Sequence, residues 1–202
     1  MQFNFFEADE DKHKNLVGFN YRNDFINQDH EDRLVELVRE LPFREFVFHG
    51  YKGKRRVVSF GWQYEYSGAG ALRKPAPIPP FLLGLQELAA SFAGLKANEL
   101  QHVLITEYGQ GAGIGWHRDK AEFGKVVGVS LLGPCVIRFR KRIKKHGRWD
   151  RVNVFAEPRS AYLLSDAARS EWEHSILRVD SLRYSITFRE VLTNQNLSQS
   201  AE

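Results

Sequence analysis

The stretch Arg183-Tyr184-Ser185-Ile186-Thr187-Phe188-Arg189 alternates polar and apolar side chains without a break. Period-2 alternation is the signature of a β-strand. It puts Arg183, Ser185, Thr187 and Arg189 on one face and Tyr184, Ile186 and Phe188 on the other. If the apolar face meets a core, the polar face must look into a cavity. Two arginines inside a small barrel are very costly without anionic partners. A dicarboxylate is a natural partner, because a guanidinium meets a carboxylate in a bidentate fork. The alternative is an edge strand with both arginines in solvent, which leaves Tyr184, Ile186 and Phe188 in a less sensible place.

Upstream of this strand, short β-rich runs follow one another: 102–108 (HVLITEY), 126–133 (VVGVSLLG), 135–142 (CVIRFRKR), 151–157 (RVNVFAE), 160–165 (SAYLLS) and 172–179 (WEHSILRV). Seven or eight short strands separated by glycine- or charge-bearing turns suggest a sandwich or jelly-roll. Earlier still, residues 29–41 read as an amphipathic helix, with Asp29 as N-cap and Leu34, Leu37, Val38 and Leu41 on one stripe. A second helix is expected to start at Pro79-Pro80 and run to residue 95. Residues 46–68 look like strands and loops rich in aromatics and arginine. The fold class is therefore mainly β with flanking helices (α+β), with helices in front and a jelly-roll behind. At 202 residues the chain is one domain: residues 1–98 in front, 99–191 as the β core, and 192–202 as a polar tail.

The glycine-rich 109–115 (GQGAGIG) leads into Trp116-His117-Arg118-Asp119. On an extended chain residues i and i+2 share a side, so His117 and Asp119 can offer an imidazole and a carboxylate to one point. His174, on another expected strand, supplies a second imidazole. Two histidines and one carboxylate with open positions form the facial triad of non-heme iron oxygenases. His49, His102 and His146 lack such spacing and read as structural or surface residues. Cys135 reads as a small buried hydrophobe. No phosphate-binding glycine loop and no serine nucleophile elbow is present.

Together, His117-x-Asp119, the distant His174 and the Arg183-x5-Arg189 strand resemble the AlkB-like Fe(II)/2-oxoglutarate dioxygenases, over roughly residues 45–191. The resemblance implies a double-stranded β-helix with Fe(II) held by His117, Asp119 and His174. It also implies that Arg183 takes the distal carboxylate of 2-oxoglutarate with help from Tyr108, while Arg189 lies beside the metal. Thr106 and Ser185 complete the expected cosubstrate shell. The implied reaction uses O2 to convert 2-oxoglutarate to succinate and CO2 and hydroxylates a nearby C–H bond. On an N-methylated base the hydroxymethyl product collapses to formaldehyde and the repaired base. The family pattern is not matched everywhere. Thr106 and Ser185 stand where relatives often carry asparagine, and Ala121 followed by Glu122 stands where some members place a base-contacting acid.

On the substrate side, Arg55, Arg56, Trp62, Tyr64 and Tyr66 resemble the family's nucleotide-recognition lid. Flat apolar walls and cationic neighbours suit an extruded base; packing into the core is the alternative for the aromatics. Residues 136–151 carry eight basic side chains, among them Arg140, Lys141, Arg142, Lys144 and Lys145, against Asp150 alone. That is a local charge of +7 within a net +4, leaving −3 elsewhere. Such a patch fits either a polyanionic partner or a solvated hairpin that protects an exposed edge. In some relatives specialised for duplex DNA a basic hairpin here grips the backbone, so nucleic acid carrying alkylated bases is the expected partner.

No run reaches the ~18 apolar residues of a membrane helix. The beginning of the sequence lacks a secretory pattern, and a lone cysteine permits no internal disulfide. A monomer in the cytoplasm, or the nucleus of a eukaryote, is expected. A hydroxylase of tRNA bases or protein side chains and a non-catalytic nucleic-acid-binding module are the alternative readings.

Overall fold

The computed structural model describes residues 16–48, 51–64, 72–143 and 147–192. The expected jelly-roll is present as two antiparallel sheets. The major sheet runs in the order β1 (Phe19–Arg22), β10 (Ala161–Leu164), β7 (Phe123–Leu131), β12 (Arg183–Val191), β5 (His102–Tyr108), β3 (Tyr51–Tyr64) and β2 (Arg44–Phe48), with β4 (Leu72–Ala76) also paired to β3. The minor sheet has the order β6 (Ile114–His117), β11 (Glu173–Ile176), β8 (Cys135–Arg142) and β9 (Trp149–Ala156). Two of the runs read from sequence, 102–108 and 135–142, coincide with β5 and β8, and the alternating 183–189 lies within β12.

Two apolar layers hold this architecture. Helices α1 (Gln28–Arg39) and α2 (Leu83–Ala93) pack on the outer face of the major sheet. There Leu34, Val38, Leu85 and Ala89 meet Val103, Ile105, Val127, Val129, Ile186 and Phe188. The second layer lies between the sheets, where Tyr108, Val126 and Tyr162 face Ile137, Phe139 and Ile176. The major sheet is thus covered on both faces, and the minor sheet on one.

The first helix differs in detail from its sequence reading. Asn27, not Asp29, is the N-cap, and its side chain accepts the His30 N–H at 2.9 Å. Leu37 is exposed; Glu31 and Val35 are buried in its stead. Glu31 tolerates burial because it accepts the Leu132 N–H at 2.8 Å and pairs with Arg159 at 3.2 Å. These partners come from remote segments, which is why helical periodicity missed them. The second helix enters through a 3-10 turn at Pro80–Leu82 and ends at Gly94, whose φ of 64° is left-handed. Cys135 is buried and unpaired.

Candidate active site

The strand Arg183–Val191 fixes the site. Its partners set the register: Arg183 lies opposite Tyr108, Ser185 opposite Thr106 and Ser130, and Arg189 opposite His102 and Val126. Because Tyr184, Ile186 and Phe188 take the helix-covered face, Arg183, Ser185, Thr187 and Arg189 point between the sheets, all of them buried. The cavity-facing reading of this strand holds, and the edge-strand alternative does not: β12 lies inside the sheet between β5 and β7.

Arg183 is the largest wholly buried side chain, at 0 % exposure. One terminal nitrogen donates to Ser130 Oγ at 2.9 Å, and the guanidinium lies 5.0 Å from the Tyr108 ring centre. Its Nε and Nη1 have no hydrogen-bond partner among the described residues. A buried guanidinium without a carboxylate is a strong demand for an anion.

At the other end of the same face, Arg189 donates to Asp119 Oδ1 from Nη2 at 3.1 Å and from Nε at 3.3 Å. Burial alone would raise the Asp119 pKa. The Arg189 guanidinium and then the two imidazoles outweigh it and hold this carboxyl well below the usual range. Asp119 Oδ2 is 3.7 Å from His174 Nε2. The His117 and His174 rings are 4.2 Å apart, set by the antiparallel register that places the two residues opposite each other on β6 and β11. Burial, and then the neighbouring His117, push the His174 pKa down to about 4, so this ring is neutral near pH 7. His117 Nδ1 is 2.9 Å from the Gly115 carbonyl oxygen. A ring N–H donated there leaves Nε2 as a lone-pair donor toward the cluster.

Two imidazoles and an ionised carboxylate thus converge on one side of the interior. Among the described residues no group of three His, Cys, Asp or Glu side chains is gathered closely enough to hold a metal ion as placed; Asp119 is drawn toward Arg189 through one of its two oxygens. The donor set nonetheless fits a divalent iron, with neutral nitrogens and a hard anionic oxygen. The unpartnered nitrogens of Arg183 fit a carboxylate of a small dicarboxylic acid.

The other sequence candidates separate. Tyr108 and Thr106 are buried on the inner wall beside Arg183 and Ser185. Arg55, opposite Tyr108, is half-buried with its guanidinium 3.9 Å from the Phe46 ring centre, and burial lowers its pKa. Arg56 points to the other face and grips Glu107 through two bonds of 2.7 and 2.8 Å. Trp62 is half-buried at the end of β3, just past Gly61, whose φ is 78°. A Cβ on Gly61 would lie 2.0 Å from the Gln101 carbonyl oxygen, so the bend here requires glycine. Tyr64 belongs to β3, while Tyr66, Lys144, Lys145, His49 and His146 lie outside the described residues. Glu122 is half-buried in the turn after Asp119, and its carbonyl accepts the Leu192 N–H.

Arg140 pairs with Glu173 on the outer face of the minor sheet, Lys141, next along β8 and on the opposite side of the strand, pairs with Glu171, and Arg142 is exposed at the end of β8. Trp116 lies on that face too, under the guanidiniums of Arg138 (4.8 Å) and Arg140 (4.4 Å), and not in an apolar core.

Four site neighbours escaped the sequence reading. His102 is buried beside Arg189 and Phe123; burial and then Arg189 lower its pKa to about 3. Alternation through 102–108 would have placed it with Thr106 and Tyr108. Ser130 and Tyr162 adjoin Arg183 only through strand pairing. A Cβ on Gly128 would lie 2.3 Å from the Tyr162 ring, so glycine lets that phenol cross the inner wall. Arg169, on α3 (Asp166–Ser170), donates to the carbonyls of Lys120, Phe123 and Gly124, clamping the turn that follows Asp119.

A twelve-stranded, two-sheet barrel with this interior defines a class of metal- and oxoacid-dependent oxygenases, and comparison with known proteins agrees. The family profile described as the 2OG-Fe(II) oxygenase superfamily matches residues 19–189, most of the chain, and the protein belongs to that family. An uncharacterized protein of Acanthamoeba polyphaga mimivirus is 26% identical over 195 residues, covering 89% of this chain and 87% of the relative. The Arabidopsis thaliana protein named alkylated DNA repair protein ALKBH8 homolog is 25% identical over 214 residues, covering 90% of this chain but only 60% of its own length. The solved structure of OsALKBH1 superposes with a TM-score of 0.62 at 17% identity, covering 86% of this chain and 98% of that one. The chain is thus a 2-oxoglutarate-dependent dioxygenase that uses Fe(II), 2-oxoglutarate and O2, similar in sequence to the Arabidopsis protein and in fold to OsALKBH1. No helix among the described residues is long and apolar enough to cross a membrane.

Proposed function

We propose that this dioxygenase removes alkyl groups from N-alkylated bases in nucleic acid, with His117, Asp119 and His174 as the iron ligands and Arg183 as the anchor for 2-oxoglutarate. The observation that carries the reading is the coexistence, in one interior, of the two-imidazole, one-carboxylate cluster and a wholly buried guanidinium with two unpartnered nitrogens. The nucleic-acid half rests on the basic segment 136–151 and on the name of the Arabidopsis relative.

Each residue has a definable task. Arg183, steadied by Ser130 and flanked by Tyr108, binds the distal carboxylate and so orients the cosubstrate along β12. Arg189 keeps Asp119 ionised and turned toward the imidazoles. The Gly115 carbonyl fixes the His117 ring, and the buried setting keeps His174 neutral. Thr106, Ser185 and Thr187 line the wall between the two arginines and can donate hydroxyl hydrogen bonds to a bound oxoacid. The iron, when bound, supplies O2 activation coupled to 2-oxoglutarate decarboxylation. Closed layers on both faces of the major sheet keep bulk water from the Arg183 end.

The test is a panel of single- and double-stranded DNA and RNA oligonucleotides carrying 1-methyladenine or 3-methylcytosine, incubated with Fe(II), ascorbate and 2-oxoglutarate. Mass spectrometry should show demethylated base with matching formaldehyde and succinate, abolished in His117→Ala. Turnover of no oligonucleotide would sink the dealkylation reading, and undiminished turnover in His117→Ala would sink the iron assignment.

A further inference from the structure

Beside the ligand cluster, and outside the barrel, an open groove of about 580 Å3 runs along β6. Three cations line it: Lys54 from β3, Arg138 from β8 and Arg178 from the segment after β11. Among the described residues no acidic side chain lines it, and the remaining wall is Ile114, Leu177, the glycines 111, 113 and 115, and Ile176, whose side chain is buried in the layer between the sheets. Lys54 and Arg178 are exposed. Arg138 gives only its Nε, to Ser175 Oγ at 3.0 Å, and rests on the Trp116 ring, leaving its terminal nitrogens for another ligand. The groove also adjoins the chemistry: Gly115 contributes its carbonyl to His117, and Ile176 is two residues from His174.

The neighbouring basic hairpin behaves differently. Arg140 is held by Glu173 at 2.6 Å and lies 4.4 Å from both Trp116 and Trp149, while Lys141 is paired with Glu171. Those charges already have partners. The groove's three cations have no carboxylate among the described residues.

We infer that this groove, and not the hairpin, is the track of a single-stranded nucleic-acid segment, with phosphates on Lys54, Arg138 and Arg178 and sugar or base faces against Ile114 and Leu177. The inference rests on the nucleic-acid reading and gives it an address. An open groove with cations from three separate segments does not enclose a small anion; it suits a chain with repeating charges. Apolar side chains between the cations suit a strand whose base faces are uncovered, whereas a duplex keeps those faces stacked inside. Gly111 and Gly115 leave open space, with nothing within 4 Å of where a Cβ would stand, while Gly113 lets the chain pass close to the 176–178 backbone that carries Arg178.

The experiment titrates fluorescein-labelled single-stranded oligonucleotide into the full chain by anisotropy over a range of salt concentrations. Two charge-neutralised triples are compared with wild type: Lys54→Gln/Arg138→Gln/Arg178→Gln in the groove, and Arg142→Gln/Arg148→Gln/Arg151→Gln on the hairpin. Loss of three phosphate contacts should flatten the log K against log salt slope by about 2 for the groove triple. The hairpin triple should leave the slope nearly unchanged. Since Arg138 is partly buried, the exposed pair Lys54→Gln/Arg178→Gln is measured too and should flatten the slope by about 1.4. Equal or greater flattening by the hairpin triple overturns the groove while leaving the nucleic-acid reading intact. So do tighter binding of a matched duplex and equal competition by polyglutamate, which has repeating charge but no base faces. If wild type binds no oligonucleotide even at low salt, both the groove and the nucleic-acid reading fall.

Discussion

Two strands of this molecule carry arginines on one alternating face, and they use them in opposite ways. On β12, Arg183 and Arg189 point into the space between the sheets, because helices α1 and α2 cover the other face. On β8, Cys135, Ile137 and Phe139 take the inner face, and Arg138 and Arg140 are left on the outside. Outside, Arg140 is balanced by Glu173 and sandwiched between tryptophans. Inside, Arg183 has one serine and an aromatic ring, and two nitrogens with nothing. A cation that burial has left incomplete marks a ligand site; an equally basic strand with its partners in place marks a supporting wall.

The comparison is broken most directly at Arg183. Arg183→Met keeps the side chain's bulk but removes the unpartnered charge, so two effects should diverge. Affinity for 2-oxoglutarate should fall by about 10- to 100-fold, the range of a lost charge-assisted hydrogen bond pair. Thermal stability without cosubstrate should hold or rise, since a buried uncompensated cation is unfavourable. Isothermal titration and a melting curve read the two; a clear drop in melting temperature with unchanged affinity would make Arg183 a structural residue.

Arg140 sharpens the other side. Its partners Trp116 and Glu173 immediately precede His117 and His174, so it ties together the two strands that carry the imidazoles. Arg140→Ala should weaken Fe(II) binding several-fold while leaving 2-oxoglutarate affinity within about twofold. Metal titration monitored by tryptophan fluorescence checks this, and unchanged metal affinity would confine Arg140 to surface packing.

The smallest effect belongs to Arg56, the exposed cation on the helix side of β3. Its hydrogen bonds hold the Glu107 pKa below the usual carboxylate value. A depressed native pKa stabilises the fold above the ordinary carboxylate range, and that stabilisation disappears as pH falls through the native value. Arg56→Ala should therefore lower the melting temperature slightly at neutral pH, and the gap should close as pH falls through the native Glu107 value, below which the carboxyl is protonated in wild type and variant alike. A gap that persists unchanged in acid would show that packing of Arg56 on Phe43, not the ion pair, is responsible.

Much of this contrast was legible in the sequence. Alternation alone put the arginines of 183–189 on one face and named the apolar residues on the other. The glycine-rich lead into His117-x-Asp119, with His174 far downstream, carried the proposed ligand set. Alternation does not say which face is inside; that depends on which layers cover a sheet. For that reason nothing in the sequence puts Trp116 under two guanidiniums, and Arg56 groups with Arg55 although the two point to opposite faces. Ser130, Tyr162 and Arg169 become site neighbours only through strand order and through the turn that Arg169 clamps. Nothing local distinguishes them from ordinary strand and helix residues.

The placement of β6 has a further consequence. It is four residues long and stands at the rim of the minor sheet, with β11 as its one strand partner among the described residues. Rim strands are the first to fray, so in the metal-free chain the segment carrying His117 should be among the earliest to exchange its amide hydrogens. An ion shared by His117, His174 and Asp119 would staple it to its neighbour, so that occupancy of the centre and the local integrity of that rim rise and fall together.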